Sequence, residues 1–215
     1  MTQSSRLVLW TGFVGLLIAL AYAGRAESGK PDPNVLYQYG TAISGLVSYL
    51  IMLAIVLAIA GGSPQLLALA RPERWPSALG LALAVFVGIM IVNVALNPFL
   101  HAGQEQGLTP SGWDASRAGQ YAANFAVVAV LGPIVEEVTY RGLGVSLWRR
   151  YGRWVAIVVT ALLFGLSHGL VDGLPILAIF GAGLAWLRLR TGSAYPGMLV
   201  HGAFNALALI VAVAT

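Results

Sequence analysis

The sequence predicts an all-α fold, a polytopic transmembrane helical bundle of about seven spans, and three observations predict it. Of 215 residues, 58% are hydrophobic and only 9% are charged, about a third of the charged fraction of a soluble domain. Apolar runs approaching the roughly 20 residues that cross a hydrocarbon core recur along the whole chain. The segments between them are short and rich in Pro, Gly and Arg. None could bury a core of its own, so residues 1–215 read as a single integral membrane domain.

The expected spans are 7–24, 41–60, 78–100, 120–147, 154–170, 174–187 and 195–213. The first runs between Arg6 and Arg25. Its Ala21-Tyr22-Ala23 resembles a signal-peptidase site, although an uncleaved first span is the preferred reading. Breakers separate the next spans: KPDPN at 30–34, GGSP at 61–64, RPERWP at 71–76 and TPSG at 109–112. The fourth span closes at Trp148 and Arg149, and the fifth opens beside Trp154. These tryptophans, with Trp75 and Trp113, stand where interfacial aromatics are expected. The sixth span is short, and the seventh follows TGSAYPG. There is no internal repeat, low-complexity segment or heptad pattern.

Charge sets the orientation. Arg6, Arg71, Arg74, Arg149, Arg150, Arg153, Arg188 and Arg190 fall on one side of the expected spans, and Arg25, Lys30 and Arg117 on the other. The richer side is cytoplasmic by the positive-inside rule, which puts the N-terminus inside and the C-terminus outside. A net charge of +4 distributed in this way describes topology, so no nucleic-acid partner is expected. The absence of cysteine excludes disulfides, thiolate metal sites and a cysteine nucleophile.

Against this apolar background the stretch GPIVEEVTYRG, residues 132–142, stands out. A carboxylate or arginine in mid-bilayer costs about 2.5 to 3.5 kcal/mol on insertion scales, so such groups normally face the protein interior and mark function. Glu137 and Arg141 are four apart and can pair on one helix face. By itself that pair could be a structural salt bridge. Glu136 lies about 100° around the helix and adds a second carboxylate that such a bridge does not need. It is therefore the candidate general base.

FGLSH at 164–168 puts Phe164 one turn before His168. Glu136 lies 15 residues before Tyr151 and His168 17 after it, so antiparallel spans bring the two to similar depth. HGAFN at 201–205 places His201 and Asn205 on one face, two hydrogen-bond donors for an oxygen. Simple counting leaves His201 nearer the cytoplasmic end. The last helix must then tilt, or TGSAYPG must enter the membrane. His101 reads as solvated surface, and Asp172 as a turn residue. Gly181 and Gly183 read as points of close helix contact. GLSHG at 165–169 matches G-x-S-x-G, but that motif works on a strand-to-helix turn. Within an apolar helix Ser167 reads as a packing or backbone-bonding hydroxyl.

In this order, EEVTYRG, FGLSH and HGAFN resemble the EExxxR, FxxxH and HxxxN motifs of the CAAX protease and bacteriocin-processing family of intramembrane proteases. The resemblance covers a catalytic core at 120–210 and leaves 1–119 as spans of uncertain role. It implies an all-helical endopeptidase with a polar cavity open to the cytoplasm. Glu136 would activate water with His168, Glu137 and Arg141 would support that site, and His201 and Asn205 would stabilise the oxyanion. The family is often labelled a metalloprotease, and Glu136, His168 and His201 are the ligand types of many catalytic zinc sites. There is no H-E-x-x-H, and a ligating carboxylate is a poorer base, so metal-free water activation is preferred over zinc or another divalent metal.

The expected function is thus hydrolysis of a peptide bond in a membrane-associated polypeptide, lipidated or membrane-embedded, in a bacterial or archaeal plasma membrane. A proton-coupled transporter would also bury Glu, His and Arg, but it predicts repeated halves. Two more functions are compatible with these residues: a serine-type protease using Ser167, and a non-catalytic immunity or scaffold protein on the same fold.

Overall fold

The computed structural model describes residues 1–28, 32, 34–100, 105 and 112–214, and among these it contains helices and turns and no strand. Lys30 and His101 lie outside the described residues. Among the described residues seven helices carry the fold. They are α1 (Gln3–Ser28), α2 (Tyr39–Ala60), α3 (Trp75–Leu100), α4 (Ala115–Tyr151), α5 (Arg153–Leu166), α6 (Leu174–Thr191) and α7 (Tyr195–Ala214). All but α5 are long and apolar enough to cross a membrane, in agreement with the expected seven.

The lengths of α5 and α6 reverse the expectation. α5 has 14 residues and stops at Leu166 rather than 170, because the chain turns through Gly169 at φ +67°. The amide of Gly169 closes that turn on the Leu166 carbonyl at 3.0 Å; a left-handed glycine just past a helix is a common stop. α6, read as short, continues to Thr191 for 18 residues, and Gly192 at φ +71° ends it. The two helices pack closely through small residues. A Cβ on Gly181 would come within 3.0 Å of the Ala161 backbone, and one on Gly165 within 3.3 Å of the Ala178 amide, the kind of contact that drives association where both solvents are oily.

α4 changes pitch twice. Val127–Leu131 and Glu137–Gly144 are π-helical, and Gly132–Glu136 between them is α-helical. Pro133 explains part of this. In the first wide turn the Gly132 amide bonds the Val127 carbonyl, so the next carbonyl, Val128, would take its proton from residue 133, and proline has none. Asn205 of α7 supplies the missing donor: its Nδ2 lies 2.9 Å from the Val128 oxygen. A membrane helix tolerates proline when a neighbouring side chain satisfies the freed carbonyl in this way.

The connection after α2 is the element least visible in the sequence. Residues 64–70 turn back into the protein, burying Leu67 and Ala68, and Ala68 adopts φ +55°. The Ala68 carbonyl accepts the Ala194 amide at 2.9 Å, the Leu69 carbonyl accepts the Tyr195 hydroxyl at 3.1 Å, and the Leu67 backbone lies against Gly142. Ser193 and Ala194 are fully buried. Of the two options left for TGSAYPG, its Ser-Ala portion lies inside the protein, packed on a second non-helical segment; irregular backbone at depth is viable only when protein surrounds it.

The core runs through Trp10, Val14, Val56, Val135, Tyr140, Leu143, Phe164 and Leu184. Outward-facing Ile43, Leu83 and Ile91 are each more than half exposed, as expected of surfaces that meet lipid tails rather than water.

Candidate active site

α4 delivers the two carboxylates to different environments. Glu137 is fully buried, and its Oε1 lies 3.1 Å from Arg141 Nη1. Arg141 also donates from Nη2 to the Gly181 carbonyl at 3.3 Å and lies 4.2 Å over the Phe164 ring. The charge is thus neutralised by Glu137, hydrogen-bonded to backbone and stacked on an aromatic face, as a buried guanidinium requires. Glu136 makes no pair with Arg141. Its side chain is 12% exposed, and its Oε1 accepts the Tyr49 hydroxyl of α2 at 2.8 Å.

Both histidines turn one nitrogen toward Glu136. His168, in the turn after α5, is anchored by Nδ1 on the Phe164 carbonyl at 2.8 Å and has Nε2 4.0 Å from Glu136 Oε2. His201 of α7 is anchored by Nδ1 on Glu137 Oε1 at 3.2 Å, with Nε2 3.7 Å from the same Glu136 oxygen. Carbonyl and carboxylate can only accept, which assigns a proton to each Nδ1. In their neutral form the imidazoles then present unprotonated Nε2 atoms toward Glu136 Oε2, itself buried and without a hydrogen-bond partner among the described residues. Three acceptors face one region, an arrangement suited to a water molecule's protons.

Phe164 organises this cluster. Its ring lies 4.7 Å from His168 and 5.8 Å from His201, both edge-on, and edge-on to Tyr140 at 5.3 Å. The aromatic one turn before His168 thus holds both imidazoles as well as the arginine. Gly197 leaves room beside Glu137, since a Cβ there would abut Glu137 Oε2.

Of the expected site residues, Glu136, Glu137, Arg141, His168 and His201 come together. Asn205 bonds the Val128 carbonyl instead, with one amide hydrogen left to donate elsewhere. Ser167 accepts the Tyr140 hydroxyl at 2.7 Å and donates to the Phe164 carbonyl at 2.8 Å. Its hydroxyl is occupied structurally, and no histidine is among those partners. Among the described residues no three His, Asp or Glu side chains converge as a metal's ligand set. His201 Nδ1 and Glu136 Oε1 are engaged, so a metal held by Glu136, His168 and His201 would take Glu136 Oε2 and the two Nε2 atoms; no step below runs through a metal.

Sequence reasoning missed the contributions of the first two spans. Tyr49 reaches Glu136 only because Gly132, one turn earlier on α4, has no side chain; a Cβ there would fall 2.8 Å from the Tyr49 oxygen. Trp10 of α1 donates from Nε1 to the Thr139 carbonyl at 3.0 Å and packs its ring against Gly144, supporting the π-helical turn that carries Arg141. The available signal was a polar-tipped aromatic inside an otherwise apolar span, since a buried Tyr or Trp usually finds a partner for its polar atom.

Residues 118–207 match the model of the Rce1-like family, described as type II CAAX prenyl endopeptidase Rce1-like. No curated protein and no solved structure matches the chain. The matched segment contains the two glutamates, Arg141, both site histidines and Asn205, and excludes Trp10 and Tyr49. The likeness to the Rce1-like family thus falls on residues 118–207, the C-terminal helices of this helical membrane protein.

Proposed function

We propose that the chain is an intramembrane endopeptidase that hydrolyses a peptide bond of a membrane-associated polypeptide through water activated by Glu136. The observation that carries this reading is the convergence of His168 Nε2 and His201 Nε2 on Glu136 Oε2, beside a neutralised Glu137–Arg141 pair. Glu136 takes a proton from water while His168 orients it, and the water oxygen attacks the scissile carbonyl. His201, with a second proton taken up from solvent at Nε2 and balanced by Glu137, donates a hydrogen bond to the oxyanion and keeps that proton through the turnover. The proton on Glu136 then passes to the leaving amine. Removing one oxyanion donor typically lowers the rate by about 100- to 1000-fold.

The π-helical turn at Glu137–Gly144 supports the same reading, because such turns recur at functional sites. The test is a comparison of membrane proteomes from cells holding wild-type protein or Glu136→Gln. Cleaved peptides should appear only with wild type, while the variant keeps its helix content and melting temperature. Equal cleavage in both would refute the role of Glu136.

A further inference from the structure

The cluster is not equally reachable from the two faces. α1 serves as a ruler through the bundle. Ser4 lies at the arginine-rich end, where Arg150 donates to it at 3.2 Å. Trp10 meets Thr139, about 9 Å further in at helical rise. Tyr22 meets the Leu170 carbonyl at 3.1 Å, about 27 Å from Ser4 in a hydrocarbon core of about 30 Å. Beyond it, Arg25 pairs with Glu105 at 2.6 Å, whose carboxylate accepts the amides of Val171 and Gly173. The turn after α5 therefore lies at the arginine-poor interface, and Glu136, one turn beyond Thr139, sits between.

On the arginine-rich side protein closes the way to Glu136. Every residue from Glu137 to Val145 is buried, backed by Leu67 and Ala68 of one non-helical segment and Ser193 and Ala194 of the other. On the other side the Glu136 side chain is 12% exposed and that of His168 28%, and past the buried Gly169 and Leu170 the turn surfaces at Val171 and Asp172. Glu137 and Arg141, on the closed side, are 0% and 1% exposed. Among the described residues, eight arginines flank the closed end against Arg25 and Arg117 at the open one, which makes the closed end cytoplasmic.

We infer that water and substrate reach Glu136 from the extracytoplasmic face, beside the α5–α6 turn, so that the substrate is the extracytoplasmic segment of a secreted or membrane-inserted polypeptide. The family resemblance implied a cavity open to the cytoplasm; charge and burial in this chain point the other way. The substrate clause rests on the peptidase reading, whereas the direction of access does not.

The chain contains no cysteine, so single cysteines report without background. Ser4→Cys, Asp172→Cys and Ser167→Cys are exposed to a membrane-impermeant, charged methanethiosulfonate in right-side-out cells and in inside-out vesicles. Asp172→Cys and Ser167→Cys should lose their free thiol from outside only, and Ser4→Cys from inside only. Labelling of Asp172→Cys from inside overturns the orientation. Labelling of Ser167→Cys from inside, or from neither side, overturns the access route. Tyr49→Cys, at the side chain that touches Glu136, replaces Ser167→Cys as the reporter should the latter fail to accumulate, with the same outcomes. Labelling needs no turnover, so a null Glu136→Gln comparison removes the peptidase reading without touching this result. Where cleavage is seen, cut sites should map to extracytoplasmic segments; cuts confined to cytoplasmic tails would overturn the substrate class.

Discussion

Adjacent glutamates in this protein do different physical work, and single substitutions separate them. Glu137→Gln leaves the Arg141 charge buried without its counter-ion. Breaking a buried pair by removing one partner costs about 3 to 5 kcal/mol, so thermal unfolding in detergent should shift markedly downward. Glu136→Gln breaks no ion pair with Arg141 and should leave that transition near wild type while cleavage is lost. Tyr49→Phe removes a hydrogen bond to a carboxylate, worth about 1.5 to 3 kcal/mol, or about 10- to 100-fold in rate if the bond persists in the transition state. A fall in kcat with unchanged KM would identify Tyr49 as a positioning residue for the base. Ser167→Ala should retain most cleavage, because its hydroxyl serves Tyr140 and the Phe164 carbonyl; complete loss would favour a serine-type mechanism.

α4 is the element in which sequence and function meet most closely. Pro133 withholds a proton from the Val128 carbonyl, and Asn205 replaces it, so Asn205→Ala should destabilise the fold by about 1 to 3 kcal/mol through an unsatisfied, partly buried carbonyl. Pro133→Ala restores an amide proton to α4, and the double variant should recover part of the loss. A double-mutant cycle measured by denaturant unfolding checks this, and strict additivity would show that the contact is incidental. Close approach is the other property of this element. Gly144 faces the Trp10 ring and Gly142 the Leu67 backbone. A larger residue at either position overpacks the site, typically at about 1 to 3 kcal/mol, with Gly142 the less tolerant because backbone cannot rotate away.

At the scale of the molecule, Glu105 ties Arg25 of α1 to the turn before α6 at the arginine-poor end. Desolvation acts to raise its pKa, but the amide hydrogen bonds from Val171, Gly173 and Asp172, together with Arg25, outweigh it and hold the carboxyl below its ordinary value. A depressed folded-state pKa contributes stability that is present above the unfolded value and lost as pH falls through the folded one. The melting temperature should therefore drop on acidification below the usual glutamate range, and Glu105→Gln should flatten that dependence. Asp114, beside the start of α4, is likewise pushed down to about 2 by hydrogen bonds from the Ser116 hydroxyl and Arg117. If cleavage proceeds without metal, dialysis against a chelator should leave it unchanged, as an activity assay on metal-depleted protein would show.

By itself the sequence determined the membrane class, about seven helices, their order and five of the residues that meet in the cluster. These follow from local properties: apolar run length, turn residues, and charges too costly to place in lipid unless they face protein. The pairing of Glu137 with Arg141 was legible because both lie on one helix face. The tertiary structure decided what depends on contacts between distant segments. It put Tyr49 on Glu136, turned Asn205 to a carbonyl that Pro133 leaves free, folded residues 64–70 back beneath the site, and ended α5 so that His168 stands in a turn. No periodicity encodes these, because each arises where two backbones approach closely enough for one to supply what the other lacks.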